Sequence, residues 1–293
     1  MTVLEHVGAA TNRLVAVGLA PRVAAFDAEV LARHVLGWTH ATYLSSRREP
    51  PPEAFAHRYG AVLTRRARRE PVALITGHRE FWGLSFEVTP DVLTPRPETE
   101  LLMEEVLALA GDPATTRSHL VDVGTGSGCL AVALACHFPR ARLTATDISG
   151  AALAVARRNA VRHGVEGRIK WVRTAFLDGV GATPDLIVAN PPYIPASDLD
   201  DLPPEVRDHE PREALVGGAD GLEAIAGLLV RAGDQLASGG HLVVEFGAGQ
   251  AAAVRRLTAV HPRLELVRIR NDLQGIPRAG VIRRLPPGIA THA

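Results

Sequence analysis

The chain has 293 residues, with 32 Lys and Arg against 32 Asp and Glu, so its formal net charge is zero. Balanced charge excludes a whole-molecule field that would draw it to nucleic acid or an anionic membrane. No apolar run approaches the roughly 20 residues that span a bilayer.

The start, Met1-Thr2-Val3-Leu4-Glu5-His6, lacks the basic segment and apolar core of a secretory signal, which makes the cytoplasm the expected compartment. Length alone allows one or two domains. The first ~70 residues read as helical. Leu4, Val7, Thr11 and Leu14 trace one stripe, and Pro21 opens a second helix carrying Phe26, Val30 and Leu31 that stops at Gly37. Pro50-Pro51-Pro52 breaks the chain, and Phe55, Tyr59, Val62 and Arg66 then recur at helical spacing. Arg65, Arg66, Arg68 and Arg69 read as solvated charges at a helix end, as do Arg47 and Arg48. This pattern predicts a helical domain over residues 1–71.

Residues 72–97 change character. Glu80-Phe81-Trp82-Gly83-Leu84-Ser85-Phe86-Glu87-Val88 is rich in aromatic and β-branched residues and turns at Gly83, which predicts a hairpin linker. Thr94-Pro95-Arg96-Pro97 is stiff, because each proline fixes its own φ and biases its predecessor toward extended backbone. A helix is expected from Glu98, with Leu101, Leu102, Val106 and Leu109 facing the core. Residues 98–293 form the third predicted region. Its candidate strands are Leu120–Val123, Leu143–Asp147, Ile169–Arg173, Asp185–Ala189, His241–Phe246, Leu264–Arg270 and Gly280–Arg284, with helical patterns between most of them. Such alternation implies an α/β fold whose mostly parallel sheet is covered on both faces.

Two stretches carry chemistry. Asp122-Val123-Gly124-Thr125-Gly126-Ser127-Gly128 follows an apolar strand and opens an apolar helix, the setting of a nucleotide-type cofactor loop. The next strand ends in Asp147, where an acid would meet ribose hydroxyls. The spacing is G-x-G-x-G rather than the dinucleotide pattern, and a tight turn without a ligand is the structural alternative. Further on, Leu186-Ile187-Val188-Ala189 runs into Asn190-Pro191-Pro192-Tyr193. The prolines cannot continue a sheet ladder, so Asn190 stands at a strand's carboxyl end on a stiff platform. There its side-chain oxygen and a neighbouring carbonyl can accept both hydrogens of a planar NH₂ group, with Tyr193 walling the pocket.

Other groups carry less. Cys129 and Cys136 sit on one helix at a separation of about 10 Å, given ~1.5 Å rise per residue. That is too far for a disulfide, so they read as small core residues. The histidines show no zinc-like spacing, and no metal is expected. Glu245 reads as a satisfied, partly buried acid, and His209 and Glu210 as surface polarity. Arg96 is left unassigned between a structural role and orientation of the linker.

The glycine loop with Asp147 resembles class I S-adenosylmethionine methyltransferases, which implies a Rossmann-like seven-stranded sheet. Asn-Pro-Pro-Tyr is shared by N6-adenine DNA methyltransferases and protein glutamine methyltransferases. The surrounding sequence is more specific. Pro71-Val72-Ala73-Leu74-Ile75-Thr76-Gly77, Glu80-Phe81-Trp82-Gly83-Leu84, Thr94-Pro95-Arg96-Pro97-Glu98-Thr99-Glu100, Val206-Arg207-Asp208-His209-Glu210-Pro211, Gly217-Gly218-Ala219-Asp220-Gly221 and Gly275-Ile276-Pro277-Arg278 resemble the release factor glutamine methyltransferase family (PrmC, also called HemK). The resemblance covers nearly the whole chain.

It implies methyl transfer from S-adenosylmethionine to the side-chain N5 of the glutamine in the Gly-Gly-Gln loop of peptide-chain release factors. Gly124, Thr125, Gly126, Ser127, Gly128 and Asp147 would hold the cofactor, with Phe176 beside the adenine and Asn190 nearby. Ala175 stands where relatives usually carry an acid. Asn190, Pro191, Pro192 and Tyr193 would bind and orient the glutamine, and the helical domain would help to dock the release factor. The expected molecule is a cytoplasmic monomer with a protein substrate and no direct nucleic acid or membrane partner. An N6-adenine DNA or RNA methyltransferase, a ribosomal-protein glutamine methyltransferase and a non-enzymatic adaptor are the alternatives.

Overall fold

A computed structural model describes residues 1–286. In chain order its helices are α1 (Val3–Ala16), α2 (Pro21–Leu36), α3 (His40–Ser46), α4 (Phe55–Ala67), α5 (Val72–Thr76), α6 (Glu100–Ala110), α7 (Cys129–His137), α8 (Gly150–Arg162), α9 (Pro204–Arg207), α10 (Glu223–Gln235) and α11 (Ala251–Ala259). The strands are β1 (His78–Phe81), β2 (Leu84–Glu87), β3 (His119–Val123), β4 (Arg142–Asp147), β5 (Ile169–Arg173), β6 (Leu186–Ala189), β7 (His241–Glu245), β8 (Leu264–Asn271) and β9 (Pro277–Arg284). Two compact units result: Met1–His78 with Pro203–His209, and Arg79–Leu202 with the chain from Glu210 onward.

The first unit is helical. A capping box starts α1: the Thr2 hydroxyl accepts the Glu5 N–H, and Glu5 accepts the Thr2 N–H in return. The buried stripe of α1 is Val3, Val7, Ala10 and Leu14, one step round from the expected one, so Leu4 faces outward. On α2 the small residues Ala24, Ala28 and Ala32 face the core with Leu31, and Phe26 is 63% exposed, against expectation. The alanines admit neighbouring helices closely, which leaves the bulky ring on the outer face.

The arginine cluster also departs from its sequence reading. Arg66 is buried; its Nε donates to Asp27 Oδ2 at 2.6 Å and its Nη1 to Glu205 Oε1 at 3.1 Å. Glu205 lies on α9, which belongs to this unit although it is some 136 residues further along the chain than its second partner, Arg69.

The second unit holds the hairpin and the main sheet. Trp82 and Gly83 join β1 to β2 with φ of 52° and 70°, the positive pair that a two-residue hairpin turn of the primed type requires. The Trp82 N–H is taken by Glu100 Oε1 at 2.8 Å. The main sheet has the order β5-β4-β3-β6-β7-β9-β8. The first five of these strands run parallel, and β9 is antiparallel to both neighbours. This is the seven-stranded α/β arrangement of class I methyltransferases.

Alternation along the strands divides the core. Leu120, Val188 and Val243 pack on one face with α6 and α7. Val121, Ile187, Ala189, Leu242 and Val244 pack on the other with α10 and α11. Of the two cysteines, Cys129 is buried, whereas Cys136, in the last turn of α7, is exposed rather than part of the core.

Candidate active site

The strand order reverses at β3. Its chain continuation, β4, lies on one side, and β6 lies on the other. Such a switch point opens a crevice at the carboxyl ends of the strands. Val123 pairs with Ala189 across β3 and β6, so Gly124 and Asn190 leave the sheet side by side. Two motifs about 65 residues apart in sequence thus meet at one place because a parallel register brings them there.

The loop after β3 is held from below. Gly124 and Thr125 both donate their N–H to Thr146 O at 2.9 Å. Asp122 Oδ2 accepts the Thr125 hydroxyl at 2.6 Å and the Ala131 N–H at 3.1 Å. Burial pushes the Asp122 carboxyl up to about 7, against the pull of those two hydrogen bonds. Asp147 lies at the end of β4; its Oδ2 accepts the Gly126 N–H at 2.9 Å and its Oδ1 the Ser149 N–H at 2.8 Å. Burial raises its pKa, and these backbone donors oppose the rise.

Gly124 and Gly126 have φ of 72° and 55°, and a Cβ at either would meet nothing within 4 Å. The space beside the loop is therefore open for a ligand to approach the backbone. Gly128 has a different task. A Cβ there would stand 2.9 Å from Ala156 Cβ, so its absence lets α7 and α8 pack closely.

A pocket of about 550 Å³ opens beside the loop, within the usual range of about 300–1,000 Å³ for small-molecule sites. Gly124, Thr125, Gly126, Ser127, Asp147, Phe176, Asn190, Pro191 and Pro192 line it, and so bring together most of the residues singled out from the sequence. Gly128 and Tyr193 do not. Phe176 is set by its carbonyl, which accepts the Thr146 hydroxyl at 2.9 Å, and by Gly227, where a Cβ would lie 2.7 Å from the ring. Ala175 lines the pocket as well, with Leu228 nearby, so this wall is apolar.

Tyr193 is not among the residues that line the cavity it was expected to wall. Its hydroxyl donates to Glu245 Oε1 at 3.4 Å, and its backbone carbonyl accepts Gln250 Nε2 at 2.9 Å. Burial pushes the phenol well above its ordinary range. The platform behind it is tightly packed, since a Cβ on Gly221 would come within 2.3 Å of Tyr193 O and one on Gly217 within 2.4 Å of Pro192 O.

Four further polar residues meet at the site, of which Glu245 is the satisfied, buried acid that the sequence suggested and Thr99 was not singled out at all. Glu245 is 2% exposed, and its Oε2 accepts the Thr99 hydroxyl at 2.8 Å. Thr99 Oγ1 in turn accepts Asn190 Nδ2 at 3.0 Å. Burial pushes the Glu245 carboxyl up to about 7, with the Thr99 and Tyr193 hydrogen bonds acting the other way. Arg96 lines the pocket, and its Nη2 lies 2.5 Å from Oε2 of Glu210, a buried acid rather than surface polarity. Period-two alternation places Glu245 on the side of Asn190. Val188 and Val243 share a face, so Asn190 and Glu245, each two residues on, point to that same side.

A family model described as "Methyltransferase small domain" matches residues 97–201, and one described as "PrmC N-terminal domain" matches residues 8–77. A release factor glutamine methyltransferase of Cereibacter sphaeroides is 42% identical over 98% of this chain and 99% of its own length. The chain belongs to the release factor glutamine methyltransferase family. Members from Moorella thermoacetica (44% identity, 88% of this chain and 89% of its own) and Bradyrhizobium diazoefficiens (40%, 90% and 89%) agree. Membership makes the protein a methyltransferase. Among solved structures, the catalytic domain of human Mettl16 matches with a TM-score of 0.57 at 15% identity, over 84% of this chain and 86% of that one. A methyltransferase from Pyrococcus furiosus matches with a TM-score of 0.51 at 19% identity, over 78% of this chain and 98% of that one. At such identities the likeness concerns the fold.

Proposed function

We propose that the protein transfers the methyl group of S-adenosylmethionine to the side-chain N5 of the glutamine in the Gly-Gly-Gln loop of peptide-chain release factors. One observation supports this above the others: the glycine loop and Asn190 leave adjacent parallel strands at the same end and line one pocket. Family membership narrows the acceptor to glutamine.

The residues present fit the cofactor. Open space at Gly124 and Gly126, the Asp147 carboxylate and the apolar wall of Ala175, Phe176 and Leu228 suit an adenosine with its ribose hydroxyls. When bound, S-adenosylmethionine supplies an electrophilic methyl on a sulfonium. The chain's own residues have to make a poor nucleophile competent. An amide nitrogen delocalises its lone pair into the carbonyl. Asn190 Oδ1 and a backbone carbonyl of the Pro191-Pro192 platform would accept its two hydrogens, favour a pyramidal nitrogen and aim its lone pair. Orientation of this kind contributes several kcal/mol, and the same acceptors stabilise positive charge growing on nitrogen. Pro191 and Pro192 hold the platform stiff, and Tyr193 anchors it from behind.

On this reading residues 1–71 form the docking domain, 72–97 the linker and 98–293 the catalytic domain, in a cytoplasmic monomer that acts on protein rather than nucleic acid. Among the described residues no helix is long and apolar enough to cross a membrane. The test is to incubate the protein with a release factor and isotopically labelled S-adenosylmethionine and to map the label by mass spectrometry. Label on the Gly-Gly-Gln glutamine is the expected result. Label on adenine of added nucleic acid, with none on the peptide, overturns it.

A further inference from the structure

Asn190 can grip an amine in only one of its two amide orientations. Its oxygen has to face the substrate, because an NH₂ turned toward another NH₂ sets donor against donor. Rotation of the side-chain amide by half a turn exchanges the two atoms with almost no change of shape. Packing alone therefore does not choose between them. A polar neighbour of known sense does.

That neighbour is Thr99, 2% exposed, whose Oγ1 lies 3.0 Å from Asn190 Nδ2. A hydroxyl can donate or accept, so by itself it does not decide the matter either. Its single hydrogen, however, points at Glu245 Oε2, 2.8 Å away. An ionised carboxylate has no hydrogen to give and only accepts. With its hydrogen committed to Glu245, Thr99 has lone pairs alone to offer Asn190, and the atom that meets them has to be the NH₂. The Asn190 oxygen is then left toward the pocket, and among the described residues it has no hydrogen-bond partner. Tyr193 occupies the other carboxylate oxygen at 3.4 Å, which keeps Glu245 in place.

Three elements deliver this chain. Asn190 follows β6, Glu245 ends β7, and Thr99 closes the turn Pro97–Thr99 that leads into α6, the helix lying over both strands. We propose that Thr99 and Glu245 are positioning residues that lock the Asn190 amide with its oxygen toward the substrate. The inference rests on the reading of Asn190 as the acceptor for the glutamine NH₂. Glu245 stands outside the pocket lining and Thr99 lines it beside Asn190, and on this proposal both act through Asn190. The locked sense needs Glu245 ionised. The charged groups that act on it are Arg278, which favours the carboxylate, and Glu98, which opposes it, with Tyr193 and Cys129 also close by. Once protonated, Glu245 can donate to Thr99, whose own hydrogen is then released, and Asn190 is no longer held to one orientation.

The test measures kcat, the KM for release factor and the Kd for S-adenosylmethionine in Thr99→Val and Thr99→Ser, with melting temperatures alongside. Valine keeps the shape and removes the hydroxyl. It is expected to lower kcat about 10- to 100-fold, the range for misorienting a reacting group, with cofactor Kd within about twofold of wild type. Serine restores the hydroxyl and should recover kcat to within about threefold, a rescue that a packing role would not produce. Should Thr99→Val fail to fold, Thr99→Ala, which buries no methyl against the carboxylate, is read in the same way. Wild-type kcat in the valine or alanine variant overturns the proposal, as does a serine variant as slow as valine, or a loss confined to cofactor binding. A wild-type enzyme that leaves the Gly-Gly-Gln glutamine unlabelled overturns the functional reading and this inference together. Labelled glutamine with an unaffected Thr99→Val removes the inference alone.

Discussion

Asp147 Oδ2 and the Gly126 N–H are 2.9 Å apart, so the acid that closes β4 also shapes the glycine loop after β3. The carboxylate is already spanned between Gly126 and Ser149, and it retains lone pairs on the pocket side. Asp147→Ala is expected to weaken S-adenosylmethionine binding by about 1.5–3 kcal/mol, the range for a hydrogen bond to a charged group. Titration calorimetry measures it directly. An unchanged Kd would refute the ribose contact.

Asn190 is expected to matter to turnover and little to cofactor affinity. Asn190→Ala removes the acceptor and leaves the loop, Asp147 and Phe176 where they are. A fall in kcat of about 10²–10³-fold is expected, as for other preorganised polar groups, with cofactor Kd close to wild type. Steady-state kinetics beside calorimetry separates the two quantities. Full turnover in the variant would remove Asn190 from its role.

Glu245 makes stability depend on pH in an unusual sense. Burial raises its pKa from 4.5 to about 7 in the folded protein. Between those values the folded chain holds a proton that the unfolded chain has lost, so stability falls as pH rises through the window and levels off above about 7. The neutral-pH penalty is on the order of 3 kcal/mol. Asp122, raised to about 7, acts in the same direction, so the informative quantity is a difference. The melting temperature of Glu245→Gln minus that of wild type should grow from pH 5 to about pH 7 and then flatten. A difference that does not change with pH contradicts the assignment.

In the helical unit, Arg66 is enclosed by Asp27 and Glu205. Burial raises the Asp27 pKa, and Arg66 is the group that opposes the rise. Arg66→Ala leaves Asp27 without its buried partner and Glu205 with Arg69 alone, and is expected to cost about 3–5 kcal/mol. Arg66→Met, which restores volume without charge, should not rescue it while Asp27 and Glu205 remain. Chemical denaturation of the three proteins decides the point. A loss below 1 kcal/mol would show that water compensates Asp27, Glu205 keeping Arg69.

Local pattern alone settled much of this protein. The central strands β6 and β7 are legible as short apolar runs, because a strand covered on both faces is hydrophobic nearly throughout, whereas the edge strands β5 and β8 carry Lys170, Arg173, Glu265 and Arg268 among their apolar residues. The glycine loop and the Asn-Pro-Pro turn are legible because their backbones tolerate few residue types, so composition records geometry there. Pairing and burial are another matter, since they depend on residues distant in the chain. Nothing local distinguishes Arg66 from Arg65, or Glu210 from a surface acid, until Asp27, Glu205 and Arg96 are brought against them. Phe26 and Cys136 read as core by type and lie outside because their helices turn other faces inward. The connection of Asn190 through Thr99 to Glu245 exists only once β6, β7 and the turn before α6 are assembled. A hydrogen bond needs two atoms within about 3 Å, and sequence separation carries no information about that distance.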